Sequence, residues 1–306
     1  MVFLEQRIKL KNFLWLIVMI KNIIKRVAPK KVIVFLRKKK RNFLNFKNSN
    51  KINVTKEDLI RLEEYEKRFP KVMTTKETLE EIVKKGASIC RYGDAEFDIS
   101  NQENENDSYQ SPSNELTKRL HDILLHGSSD NLLVCIPPFN SKTNNIKRYH
   151  GSLSFWESYW LNKYEKLSKL FTNDEYGNSF VTRETVFHQN NVKKIKNIWE
   201  GRTVVFVYSK KGRFDTSSIL FDNIREKYEI HVPPVNAFEE YDSILEQCKK
   251  FEKNCLFMIA AGPTAAVLAF DLWELGFQAL DIGHLPNSYD EYRGVILSPE
   301  DTPLIS

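Results

Sequence analysis

The chain has 306 residues, 46 Lys+Arg and 40 Asp+Glu, a formal net charge of +6, with 42% hydrophobic and 12% aromatic residues. That composition excludes disordered, collagen-like and polytopic membrane classes, and the length supplies ample core for one large domain or two small ones. The net charge hides a division: residues 1–51 hold 15 Lys+Arg against the single acid Glu5, a balance of +14, and the remaining residues balance to −8.

The basic arm over 1–51 comes first. Between Lys11 and Lys21 lie nine uncharged residues, and Val32–Leu36 is followed by Arg37-Lys38-Lys39-Lys40-Arg41. A membrane-spanning helix needs roughly 20 apolar residues, and no small-residue cleavage site follows as a secretory signal requires. Short apolar runs flanked by bases suit a helical arm at the anionic, cytoplasmic face of a membrane. A partner protein or second subunit would be met by a similar arm. No nucleic-acid recognition motif is present.

Residues 52–306 read as alternating helices and strands. Helices are expected over 55–69 and 75–85, the second capped by Thr75, then a strand over 87–92. A helix over Asn114–His126 precedes the apolar strand Leu132–Ile136, and an aromatic-rich helix over 152–171 reads as core packing. Next come strand Thr203–Tyr208, helix Ser217–Lys227, strand Glu229–Val232 and helix Phe238–Lys253. Strand Cys255–Ala260, helix Pro263–Leu275 and strand Gln278–Ile282 complete the series. This alternation predicts an α/β fold with a mainly parallel sheet. Ligands of such sheets bind beyond the carboxyl ends of the strands.

Chemistry-bearing residues follow several of these ends. Gly93-Asp94-Ala95-Glu96 follows the 87–92 strand. In an extended segment Asp94 and Glu96 project to one side, a pair of oxygen ligands for Mg²⁺ or Mn²⁺ on a diphosphate; a solvated turn is the plain alternative. Arg91 from the same loop suits phosphate. Ser209-Lys210-Lys211-Gly212-Arg213 is a basic loop between strand and helix. Gly262-Pro263-Thr264 opens a helix, with free N–H groups and the Thr264 hydroxyl facing whatever lies above the sheet, or with Thr264 simply capping the helix. His284, after Asp281-Ile282-Gly283, can touch a phosphate, polarise a sugar hydroxyl or move a proton. His121, His126, His150, His188 and His231 show no metal-ligand spacing. P-loop, dinucleotide and serine-hydrolase signatures are missing. Cys90, Cys135, Cys248 and Cys255 form no CxxC pair, which fits a reducing, cytosolic setting.

An ordered series of segments carries a family resemblance. Arg91-Tyr92-Gly93-Asp94-Ala95-Glu96-Phe97 resembles the R-[FY]-G-D-G-E-[FL] signature of GT-D type glycosyltransferases. Val181-Thr182-Arg183 is similar to their S-R segment, and Ile198-Trp199-Glu200-Gly201-Arg202 to I-W-x-G-[KR]. Pro233–Phe238 with Tyr241–Leu245, Ala261–Ala265, Ala269–Leu272 and Gly276–His284 resemble the later blocks. The match runs over about 75–295.

The resemblance implies a single Rossmann-like domain that transfers sugar from a nucleotide sugar, typically UDP-linked, with Mn²⁺ or Mg²⁺ held by Asp94 and Glu96. On this reading Asp94, Glu96 and His284 are the expected catalytic residues. Donor contacts fall to Arg91, Gly93, Arg183, Arg213, Gly262, Pro263, Thr264 and Asp281. The acceptor would be a glycan or lipid-linked glycan in bacterial surface-polysaccharide or glycoconjugate assembly. Two departures stand out: Ala95 replaces the second glycine of G-D-G-E, and Tyr208 occupies the position of a family glutamate, with Ser217-Ser218-Ile219 in place of G-N-D. The altered 208–219 stretch makes a nucleotide-binding scaffold without turnover the alternative.

Overall fold

The computed structural model describes residues 54–101, 110–111, 113–139, 153–297 and 299; the basic arm over 1–51 and His150 lie outside them. Helix α1 (Lys56–Arg68) starts on a capping box between Thr55 and Asp58. After the two-residue strand β1 (Lys71–Val72), α2 (Thr75–Lys84) starts on a second box. Its cap is Thr74, not Thr75 as the sequence suggested. Thr74 has the extended backbone of a cap, and Thr75 is already helical, its hydroxyl donating to Gln189 Oε1 at 2.7 Å.

Strand β2 (Ser88–Arg91) is followed by α3 (Asp94–Ser100), then α4 (Asn114–His126) and β3 (Leu132–Ile136). Gly127 ends α4 at φ +69°, a left-handed turn that glycine adopts without a Cβ penalty. The aromatic helix α5 (Phe155–Leu167) buries Trp160 and Tyr164 as the core reading requires, but Phe155 is 61% exposed. Next come β4 (Glu175–Asn178), the short helices α6 (Glu184–Gln189) and α7 (Val192–Lys196), and β5 (Thr203–Tyr208).

The expected helix over Ser217–Lys227 does not form. A 3-10 turn occupies Ile219–Phe221, and the next strand, β6 (Glu226–His231), starts three residues earlier than the sequence suggested. Helix α8 (Tyr241–Cys248), β7 (Leu256–Ala260), α9 (Thr264–Glu274), β8 (Gln278–Asp281) and α10 (Leu285–Tyr292) complete the domain.

The eight strands among the described residues join one sheet in the order β1-β4-β3-β2-β8-β7-β5-β6, every pair parallel. The first four strands form one half and the last four the other. They meet where Ile89 of β2 pairs with Leu280 of β8. The Ser88 hydroxyl reinforces this seam, accepting from Ala279 N–H at 2.9 Å.

Both faces of the sheet are covered, as a parallel sheet requires. On one face α1, α3, α4, α5, α8 and α9 supply a core that includes Phe97, Leu120, Trp160 and Leu268. On the other, α2, α6, α7 and α10 enclose Ile82, Phe187, Trp199 and Leu285. Central strands buried on both sides read as unbroken apolar runs, which is why 132–136 and 203–208 were legible to the residue.

Candidate active site

Loops leaving the carboxyl ends of β2, β4, β5, β6, β7 and β8 converge on a cleft of about 300 Å³. It lies over the β2–β8 seam, the topological switch point at which open α/β sheets bind ligands. Of the eleven residues singled out from the sequence, ten line it: Arg91, Gly93, Asp94, Glu96, Arg183, Arg213, Gly262, Pro263, Asp281 and His284.

Thr264 is the exception. It is fully buried as the first residue of α9 and provides no side-chain cap. Its hydroxyl donates inward to Gln110 Oε1 at 3.5 Å. Nor are all first-turn amides open, since Ala265 N–H donates to Gly262 O at 3.0 Å. Gly262 itself turns the chain at φ +57° and brings backbone to the cleft wall.

The carboxylate pair sits differently from the extended arrangement expected of it. Asp94 and Glu96 are the first and third residues of α3, so they diverge around a helix instead of projecting together. Asp94 is exposed at the rim, while Glu96 is buried. The physical cause is a backbone cap: Glu96 Oε2 accepts from Gly93 N–H at 2.8 Å, which pulls the side chain back over the start of the helix. Burial raises the Glu96 carboxyl to about 7, with Arg91 opposing and Asp281 adding to the rise. Tyr159 of α5 steadies this helix by donating to Asp98 Oδ1 at 2.7 Å.

Arg91 and Asp281 bridge the floor of the cleft, Nη2 to Oδ1 at 3.5 Å, both buried. Burial raises the Asp281 carboxyl, with Arg91 opposing. His284 is driven well below the ordinary histidine range, first by burial and then by Arg183, Arg91 and Arg213. Its imidazole is therefore neutral at physiological pH, a hydrogen-bonding group and not a cation.

Lys210 and Lys211 of the basic loop do not line the cleft; Ser209, Gly212, Arg213 and Phe214 do. Gly212 N–H donates to Ser209 O at 3.0 Å, closing a turn that carries Arg213 inward. Tyr208, at the family's glutamate position, is absent from the cleft lining. Its hydroxyl is placed with Thr216 and Glu229.

Several lining residues escaped the sequence reading. Pro233, Pro234 and Val235 follow β6, directly after the strand expected over Glu229–Val232; their side chains carry no charge or hydrogen-bonding group to mark them as chemistry-bearing. Asn287 lies on α10, three residues beyond His284 and on the same helical face. Gln110 supports the walls from behind: its Oε1 accepts from Phe238 N–H at 3.3 Å as well as from Thr264. No local pattern marks Gln110, because its partners come from distant segments.

Comparison with known proteins agrees with this fold. The model of the glycosyltransferase GT-D fold family matches residues 89–298. A probable glycosyl transferase Gly of Streptococcus gordonii is 27% identical over 76% of this chain and 34% of its own length. Glycosyltransferase GlyD of Streptococcus pneumoniae serotype 4 is 27% identical over 70% of this chain and 26% of its own. The chain thus spans about a third or less of these relatives.

A solved structure of domain of unknown function 1792, described as having a distinct glycosyltransferase fold, superimposes with a TM-score of 0.71 at 29% identity, covering 79% of this chain and 87% of that one. A glycosyltransferase of the same domain type from Streptococcus sanguinis gives a TM-score of 0.65 at 26% identity, with coverage of 75% and 87%. Family model and fold coincide, and the chain belongs to the glycosyltransferase GT-D fold family.

Proposed function

We propose that this domain transfers a sugar from a nucleotide-diphosphate sugar, UDP-linked by family analogy, to a glycan or lipid-linked glycan in bacterial surface-glycan assembly. The carrying observation is the charge layout of one cleft: Arg91, Arg183 and Arg213 together with Asp94 and Glu96. Guanidinium groups match phosphate oxygens in planar, paired hydrogen bonds. Two carboxylates on the same cleft lining fit a divalent ion carried by the diphosphate.

The residues present are compatible with Mn²⁺ or Mg²⁺ under one condition. Among the described residues no cluster of three or more His, Cys, Asp or Glu side chains could hold an ion. Asp94 at the rim and Glu96 deeper in the same cleft, set apart by the helix, would each give the ion one ligand, with phosphate oxygens completing the shell. The ion would supply positive charge against the departing nucleotide diphosphate. The protein's own groups do the rest: the three arginines bind phosphate, Gly262 lets backbone approach, and neutral His284 hydrogen-bonds the sugar or the β-phosphate.

A screen of UDP-, GDP- and dTDP-linked sugars with purified protein and Mn²⁺ tests class and donor together. Metal-dependent release of one nucleotide diphosphate supports the reading, and no binding or turnover of any donor rejects it. Binding without turnover across acceptors would favour the scaffold alternative, to which the displaced Tyr208 position lends weight.

The arm over 1–51 fits an address at the cytoplasmic face of a membrane, supported by its charge of +14. Among the described residues no helix is long and apolar enough to cross a membrane. Deleting the arm is expected to release the protein from anionic vesicles and leave donor hydrolysis intact; unchanged vesicle binding rejects this role.

A further inference from the structure

We infer that Asn287 is a specificity residue that reads hydroxyl groups of the transferred sugar, with Asp281 on the lining of the same cleft. This deepens the glycosyltransferase reading and rests on it.

Asn287 lines the cleft yet is only 6% exposed, and its Oδ1 has no hydrogen-bond partner. Asp281, also lining the cleft and 1% exposed, has a second oxygen, Oδ2, in the same condition. Buried acceptors are nearly always paired, so an orphan needs a physical reason. An apolar residue of similar volume would avoid the desolvation cost of an unmade bond. Retaining an amide in such a place makes sense when a ligand supplies the missing donor.

The position narrows what that donor is. His284 caps α10 and Asn287 lies three residues on, so the two share a face. Ser288 N–H donates to His284 O at 2.9 Å, which fixes this first turn. The guanidinium groups of Arg91, Arg183 and Arg213 serve the anionic part of a donor. Orphan oxygen acceptors repel phosphate and select groups that carry a hydrogen. Within a nucleotide-diphosphate sugar the densest such groups beside the phosphates are the sugar hydroxyls. A site built to hydrogen-bond a hydroxyl discriminates steeply against a sugar that lacks it or presents it elsewhere, because its polar group is then left unpaired.

The test is calorimetric titration of the full chain, wild type and Asn287→Leu, with Mn²⁺. Probes are UDP, UDP-glucose, UDP-galactose and UDP-N-acetylglucosamine. The expected result has three parts. Asn287→Leu binds UDP within about twofold of wild type. It loses roughly tenfold for the preferred UDP-sugar, the size of one lost polar contact. It melts no lower than wild type, since the orphan acceptor is gone. Asn287→Ser, which keeps a hydroxyl, recovers part of the sugar preference and guards against a packing artefact of leucine.

Equal losses for UDP and UDP-sugars would overturn the inference, because Asn287 would then serve the nucleotide. Unchanged sugar preference in Asn287→Leu would also overturn it, as would a wild type that binds all three sugars alike. If wild type binds UDP but Asn287 has no effect on sugar preference, this inference alone fails. If wild type binds no nucleotide diphosphate of any kind, the glycosyltransferase reading fails with it.

Discussion

Arg91 Nη2 lies 3.5 Å from Asp281 Oδ1 across the β2–β8 seam, and Gly283 packs against the same guanidinium. This contact fastens the segment that leads into α3, with Asp94 and Glu96, to the loop carrying His284. Both partners are buried, so removing one strands the other. Arg91→Ala is expected to cost about 3 kcal/mol of stability, measured by urea unfolding at pH 7, and to weaken donor binding. An unchanged midpoint would show that the pair contributes nothing to the fold.

Gly283 makes a sharper test of the same junction. A Cβ there would sit 2.5 Å from Arg91 Nη2, on a backbone with φ +47°. Gly283→Ala therefore meets both a left-handed backbone cost of roughly 1–2 kcal/mol and a displaced arginine. Gly276 shares the backbone constraint, at φ +82°, but a Cβ there meets nothing within 4 Å. Gly276→Ala should lose stability only, whereas Gly283→Ala should also lose donor affinity. Equal donor affinity in the two variants would reject the steric account.

Asp94→Asn and Glu96→Gln separate charge from shape. Glu96→Gln keeps an oxygen able to accept from Gly93 N–H, so α3 should retain its start. Each variant is expected to reduce metal-dependent transfer on the order of 100-fold and to weaken Mn²⁺-dependent nucleotide binding. Full activity in either would remove that carboxylate from the metal role.

His284 gives a pH signature. Burial and the flanking arginines hold its folded value well below the ordinary histidine range, so below about pH 6.5 the unfolded chain binds the proton first. Stability from this group is level above that pH and falls as pH drops through it, by up to about 1.4 kcal/mol per pH unit. The acid-side slope of unfolding free energy should be shallower in His284→Asn than in wild type. Ring NMR signals of His284 should not titrate between pH 8 and 6. Titration near 6.5 would contradict the arginine-flanked, buried environment.

The sequence failed where burial does not write an apolar run. β6 is an edge strand, Glu-Lys-Tyr-Glu-Ile-His, with only Ile230 buried. Charges on such an edge discourage pairing with other chains, and they hid the strand's first three residues, Glu226–Tyr228, from the sequence pattern. β4 holds Glu175 and Gly177 in four residues. Gly177 is needed because a Cβ would meet Cys135 Sγ at 2.5 Å, a fact about β3 that no local window contains. The Asp94–Glu96 spacing was visible, but its helical setting was not, since it depends on Glu96 folding back to Gly93.

By itself the sequence determined the central strands, the charge division between arm and body, and which loops border the cleft. Those are local properties: apolar runs for strands buried on both faces, and glycine, arginine and carboxylate residues at their ends. Only the tertiary structure decided that Arg91 and Asp281 meet, that Thr264 turns into the core towards Gln110, and that Asn287 reaches the cleft. Each depends on the β2–β8 seam, where Ser88 contacts Phe277 at a separation of 189 positions. Pairing at that range is set by packing of the whole sheet, and no pattern in neighbouring residues encodes it.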